Sequence, residues 1–169
     1  MPNLKNVNGL TPRELLTSVI EAIPTAFKPM CGEEPLASSL GAPEHSSVWI
    51  TAGIPFKGEP PWDLTLLLPE KTATGLTQAF VGFETPSDSP DMNDAVGELV
   101  NVLAGHVIER LESIGRKTAM TLPQVARGQD IDLHPAGFAS QIFLNCPSPQ
   151  GQFWIRISVK PDSSGSTPA

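Results

Sequence analysis

Apolar residues recur at helical spacing along two long stretches of the chain and crowd into five shorter, β-prone ones. In the first stretch Leu15, Leu16, Val19, Ile20 and Ile23 share one stripe, which predicts a helix over Arg13–Phe27. Thr11-Pro12 opens it as an N-cap followed by proline at the first helical position, and Pro24 and Pro29 are expected to bend or end it. The second stretch, Asp91–Leu111, lines up Val96, Leu99, Val100, Leu103, Val107 and Leu111 on one side of a long helix. Ser89-Pro90 starts that helix and Gly115 closes it. A shorter helix runs from Pro69-Glu70 through Phe80 and ends near Gly82.

Strands are predicted over Ser46–Phe56 and Trp62–Leu68, joined by a turn at Lys57–Pro61. Three more are expected at Lys117–Leu122, Phe138–Asn145 and Phe153–Lys160. Pro123–Gly128 reads as a turn, and the segment CPSPQGQ as the loop of a closing hairpin. Met30–Glu44 is weakly patterned, with room for one short strand. Helices do not alternate one per strand, so the fold class is α+β, with an antiparallel or mixed sheet packed against long helices. Helix-then-strands occurs twice, which suggests two loosely duplicated halves. Residues 1–160 are expected to form a single domain, and 161–169 (PDSSGSTPA) a disordered C-terminal tail.

Charge narrows the partners. The net charge of −7 argues against nucleic acid and anionic membranes, both of which need a basic patch, and against free phosphate anions as ligands. No apolar run approaches the roughly 20 residues that span a bilayer, and no basic-then-apolar leader opens the chain, so a cytoplasmic location is expected. Cys31 and Cys146 form no CxxC pair and are expected to be buried free thiols. His45, His106 and His134 lie in separate segments, and His106 has no second histidine at the spacing of a zinc helix, so no metal site is signalled. Trp49, Trp62 and Trp154 are expected to be core or interface anchors.

The candidate chemistry lies on the polar side of the second long helix. Glu98 and Asn101, three residues apart, fall roughly 140–200° around the axis from Val96, and Gly105 follows one turn later. A carboxylate and a carboxamide on one exposed face, backed by a rigid core, could reach into another protein's active site. Gly97 and Gly105 flank the pair, and each costs about 1 kcal/mol of helix propensity relative to alanine. Either close helix packing or clearance for a visiting partner would account for them.

Three segments in this order carry a family likeness: DLTLLLPEKTATGLTQAFVG, the helix core DAVGELVNVLAG, and MTLPQVARG with its proline and glycine. Together they make the chain, over roughly residues 8–160, resemble the CheC, CheX and FliY group of bacterial chemotaxis phosphatases, and within it the CheX-like members. In that family the helical ExxN motif is the active site, and here it falls on Glu98 and Asn101. The resemblance implies a substrate, the aspartyl phosphate of a CheY-like receiver domain. It further implies that Glu98 docks by pairing with the receiver's lysine and that Asn101 orients the attacking water. Asp94, Gly97 and Gly105 would border the docked partner. No cofactor of its own is implied, because the receiver supplies Mg2+.

CheC-type members carry a second ExxN in the first helix. Here that stretch reads TSVIEAIPTAF, where Glu21 is followed three residues later by Pro24, so the first half is expected to be inactive and the arrangement one-sited. The resemblance also implies a homodimer joined through its sheets.

Two other readings compete. The same fold could dock a receiver, flagellar or signalling partner without hydrolysing anything. Alternatively, Asp91, Asp94 and Glu98 with His106 could hold a hard cation, although acidic residues near a helix N-terminus also stabilise its dipole.

Overall fold

The computed structural model describes residues 10–43, 48–132 and 136–161. In order it contains α1 (Pro12–Cys31), β1 (Ser39–Leu40), β2 (Trp49–Lys57), β3 (Trp62–Pro69), α2 (Glu70–Val81) and α3 (Pro90–Ser113). Four strands complete it: β4 (Ala119–Met120), β5 (Gln124–Gly128), β6 (Ser140–Ser148) and β7 (Gly151–Val159). The first residues expected of the second strand, His45, His134 and residues 162–169 of the expected tail lie outside the described residues.

The strands make one seven-stranded sheet in the order β1-β6-β7-β3-β2-β4, with β5 also paired to β2. Every pairing in it is antiparallel. The architecture is α+β, as the element order implies. The order is symmetric about the central β3–β7 pair. Hairpins β2-β3 and β6-β7 flank that pair, and each hairpin is edged by a short strand from the other half of the chain. The two halves are therefore interlocked.

Alternation along the strands sends Ile50, Ile54, Leu64, Leu66, Phe153 and Ile155 to the helix side, where they are buried. Phe56 stacks on Trp62 with ring centroids 3.7 Å apart, and Phe27 of α1 meets Phe153 at 5.2 Å. On the other face a smaller cluster joins Trp49, Leu67, Phe143 and Trp154. All three tryptophans are thus packing residues. Cys31 and Cys146 are buried free thiols, and burial raises them to about 11 and about 12, which leaves both protonated and unreactive at neutral pH. No described helix is long and apolar enough to cross a membrane.

Four expectations need correction. Pro24 and Pro29 do not end α1, which runs through both to Cys31. The carbonyls they leave without donors belong to Ile20 and Thr25, on the exposed side where water can replace the lost bond. Meanwhile Val19, Ala22, Ile23, Ala26 and Phe27 hold the opposite side in the core.

Pro123–Gly128 is not a turn throughout, since Gln124–Gly128 forms β5 along β2. Its mostly exposed, polar residues give no alternating apolar signal, and only the partner strand defines it. The strand expected over Lys117–Leu122 shrinks to Ala119–Met120. In the last hairpin the strands run inward until only Pro149 and Gln150 separate them. Gly151 follows at φ 125°, a backbone that favours glycine, and a Cβ there would meet the Thr72 hydroxyl at 2.5 Å.

Candidate active site on the third helix

α3 starts cleanly. Ser89 is the N-cap, its hydroxyl accepting from the Met92 N–H at 3.2 Å, with Pro90 in the first turn. It ends in a Schellman motif, with the Gly115 N–H on the Glu112 carbonyl, the Arg116 N–H on the Leu111 carbonyl, and Gly115 at φ 79°. Between these ends Met92, Val96, Leu99, Val100, Leu103, Val107 and Leu111 are wholly buried. At about 1.5–3 kcal/mol each, that stripe fixes the rotation of the helix. The outward residues contribute little to this and can be spent on a partner.

α1 packs antiparallel on α3, as two contacts between them establish. Arg116, just past α3, forks onto Glu14 of α1 with both nitrogen–oxygen distances 3.1 Å. Glu14 is at the same time half of a reciprocal capping box with Thr11. The Arg116 hydrogen bonds and then the Thr11 backbone hold the Glu14 carboxyl below the usual glutamate range. Farther along, Arg110 of α3 reaches Glu21 of α1 at 2.8 Å.

Against this frame Asp94 and Glu98 are exposed and Asn101 is half-buried, one above the other on the outward side of α3. The structure thus brings Glu98 and Asn101 together as the spacing implied. Neither side chain makes a hydrogen bond or ion pair among the described residues. A polar pair on a rigid helix, unclaimed by any described residue, is available to a binding partner.

The two glycines part company. At Gly105 an added Cβ would meet nothing within 4 Å, so one turn beyond Asn101 the surface is open. Gly97 is buried, and a Cβ there would touch Val125 at 3.6 Å and Pro123 at 3.8 Å. Of the two roles the sequence leaves open for it, this contact favours close packing of α3 on the edge of β5.

Sequence reasoning missed that β5 lies beside the site. The strand is tethered by Arg127, which reaches Glu70 of α2 at 3.3 Å, while Ser87, just before α3, donates to the same carboxylate. The hydrogen bond from Ser87 and then that from Arg127 lower the Glu70 carboxyl. No apolar alternation in Gln124–Gly128 marks the strand in the sequence.

Among the described residues no three of His, Cys, Asp and Glu are placed to hold a metal ion. His106 is half-buried on another side of α3, where Nδ1 lies 3.5 Å from Glu109, so it does not join Asp91, Asp94 and Glu98.

Comparison with known proteins bears on this geometry. The family described as "Chemotaxis phosphatase CheX" matches residues 50–146, more than half of the chain and inclusive of the whole of α3. The chain belongs to the CheX family. Solved structures agree on the fold. A CheC-like superfamily protein from Shewanella sp. PV-4 superimposes with TM-score 0.74 at 19% identity, over 88% of this chain and 98% of that one. CheX from Desulfovibrio desulfuricans gives 0.72 at 19%, over 87% and 99%. The CheX–CheY–BeF3–Mg2+ complex from Borrelia burgdorferi gives 0.71 at 16%, over 87% and 98%. No curated protein matches the chain. In this CheX-family chain the ExxN of α3 faces solvent, while the corresponding glutamate of α1 is held by Arg110.

Proposed function

We propose that this protein is a phosphatase that accelerates hydrolysis of the aspartyl phosphate on a CheY-like receiver domain. One observation carries the reading. Glu98 and Asn101 stand on the solvent side of a helix whose other side is the core, and among the described residues no group pairs with them. Membership of the CheX family and likeness to the CheX of a CheX–CheY complex add to it.

The chemistry suits these residue types. An acyl phosphate is already activated, so the missing ingredient is a water held in line with the phosphorus–oxygen bond. The Asn101 amide can accept from that water and donate nearby without placing negative charge beside a phosphoryl group. Glu98 would be repelled by phosphate but pairs well with a lysine, and it docks against the receiver's. The receiver also brings Mg2+, which explains how a chain of net charge −7 works on a phosphoprotein. In this reading the protein acts as a homodimer joined through its sheets.

The test is phosphate release from phosphorylated receivers of the same genome, with and without the protein. At least one receiver should lose phosphate faster. The acceleration should fall about 100-fold or more in Asn101→Ala, the order of loss expected when a reacting water is misplaced. Failure of every receiver to respond would contradict the proposal. Tight binding to a phosphorylated receiver without faster release would make the protein a docking module instead.

A further inference from the structure

The two edges of the sheet are guarded unequally. An edge strand exposes unpaired backbone donors and acceptors, which proteins protect with charge, proline or a covering segment. At one edge Lys117 precedes β4 and Pro123 interrupts the path into β5, while Pro123 and Val125 lie against Gly97 of α3. At the opposite edge stands β1, paired to β6 on one side, with no strand on its other side among the described residues. Residues 35–43 around it (PLASSLGAP) hold no charged side chain, and Leu36 and Leu40 are 62% and 59% exposed. The flank beside them is apolar too. α1 lies over β6 and β7, where Leu16 and Ile142 line one small groove. Glu14 and Glu21 of α1 meet Arg116 and Arg110 on the α3 side. Leu16 and the exposed Ile20, around the helix from them, are therefore turned toward the β1 edge.

We propose that the β1 edge, with Leu36 and Leu40, is the surface through which two copies of this chain join their sheets; the proposal rests on the homodimer reading above and names the edge it uses. Charge selects the occupant. A chain of net charge −7 repels a copy of itself wherever acidic surface meets acidic surface, and the uncharged stretch at 35–43 escapes that repulsion. The stretch is also self-complementary. Antiparallel pairing of β1 with the same strand of a second copy, about a two-fold axis, sets one end of the stretch opposite the other, so Leu36 meets the partner's Leu40 and the reverse. Leu16 and Ile20 extend the apolar contact on the helix side. The β4–β5 edge and the α3 beside it stay clear of the joint, so each copy keeps its own Glu98–Asn101 pair open to a receiver.

The experiment is sedimentation equilibrium on the full chain with no receiver present, so its outcome does not depend on the phosphatase reading. The parent should be a dimer. Leu36→Lys combined with Leu40→Lys sets like charges across the axis and should raise the dimer dissociation constant about 100-fold or more. Leu36→Met combined with Leu40→Met should leave it within about threefold, and so should Leu122→Lys at the opposite edge. Both leucines are exposed, so the far-UV circular dichroism of the variants should match that of the parent. A monomeric parent overturns the proposal. So does a dissociation constant within about threefold of the parent in the double lysine variant, or a dimer broken by Leu122→Lys instead. If the double lysine variant separates the copies while no phosphorylated receiver responds to the parent, the phosphatase reading falls and this one stands.

Discussion

The two long helices each present a glutamate on the exposed side, and the protein puts the two to opposite uses. On α1, Glu21 is fixed by Arg110 at 2.8 Å, and the position three residues later is Pro24. On α3, Glu98 has no partner among the described residues, and the position three residues later is Asn101. Both helices bury their apolar stripes against the same sheet and each other. The scaffold is therefore shared, and what separates a structural helix from a chemical one is whether its polar groups are consumed internally. An ion pair between the helices uses up α1's carboxylate, and proline supplies no amide to hold water.

Charge reversal at Glu98 should break the contrast most. Glu98→Lys would face the receiver's lysine with a like charge. Affinity for an activated receiver should fall roughly tenfold to a hundredfold, with the fold intact, as read by titration. Unchanged affinity would remove Glu98 from the contact.

The reverse exchange is milder. Pro24→Asn in an Asn101→Ala background recreates the ExxN spacing on α1, yet turnover should stay at the Asn101→Ala level because Arg110 still holds Glu21. The substitution should stabilise the protein by about 1–2 kcal/mol in denaturant unfolding, since the Ile20 carbonyl regains a helical donor. Recovered turnover would show that the ion pair does not silence α1.

The smallest effect belongs to Glu14, whose carboxyl is held below its usual range by Arg116 and the Thr11 backbone. A lowered value in the folded state means that its contribution is present above the unfolded value of about 4.3 and disappears as pH falls through the folded one. Glu14→Gln keeps the capping geometry and loses the charged fork. Its deficit in thermal stability should be visible at pH 7 and should shrink as pH falls below about 4.3, with phosphatase activity unaltered. A deficit independent of pH would place the contribution in packing rather than charge.

Much of this difference was legible in the sequence, and the exceptions have physical causes. The apolar stripe of α3 is strictly periodic, so both the helix and the outward placement of Glu98 and Asn101 follow from spacing alone. Pro24 and Pro29 misled because local propensity disfavours them in a helix, whereas tertiary burial of Val19, Ile23 and Phe27 overrides it. β5 exists through its register with β2, from Trp49 opposite Gly128 to Gly53 opposite Gln124, and no local pattern announces it. For the same reason the pairing of Glu21 with Arg110, 89 residues apart, and the placement of Pro123 and Val125 against Gly97 were out of reach. Gly97 and Gly105 look alike in sequence. Only the strand lying over one of them tells them apart.

The most direct measurement pairs two readings on Asn101→Ala with one phosphorylated receiver, the rate of phosphate loss and the affinity for the beryllofluoride-activated form. The account predicts that affinity stays within about threefold of the parent while accelerated phosphate loss drops about 100-fold or more. Undiminished acceleration in that variant would show that the water is held by some other group.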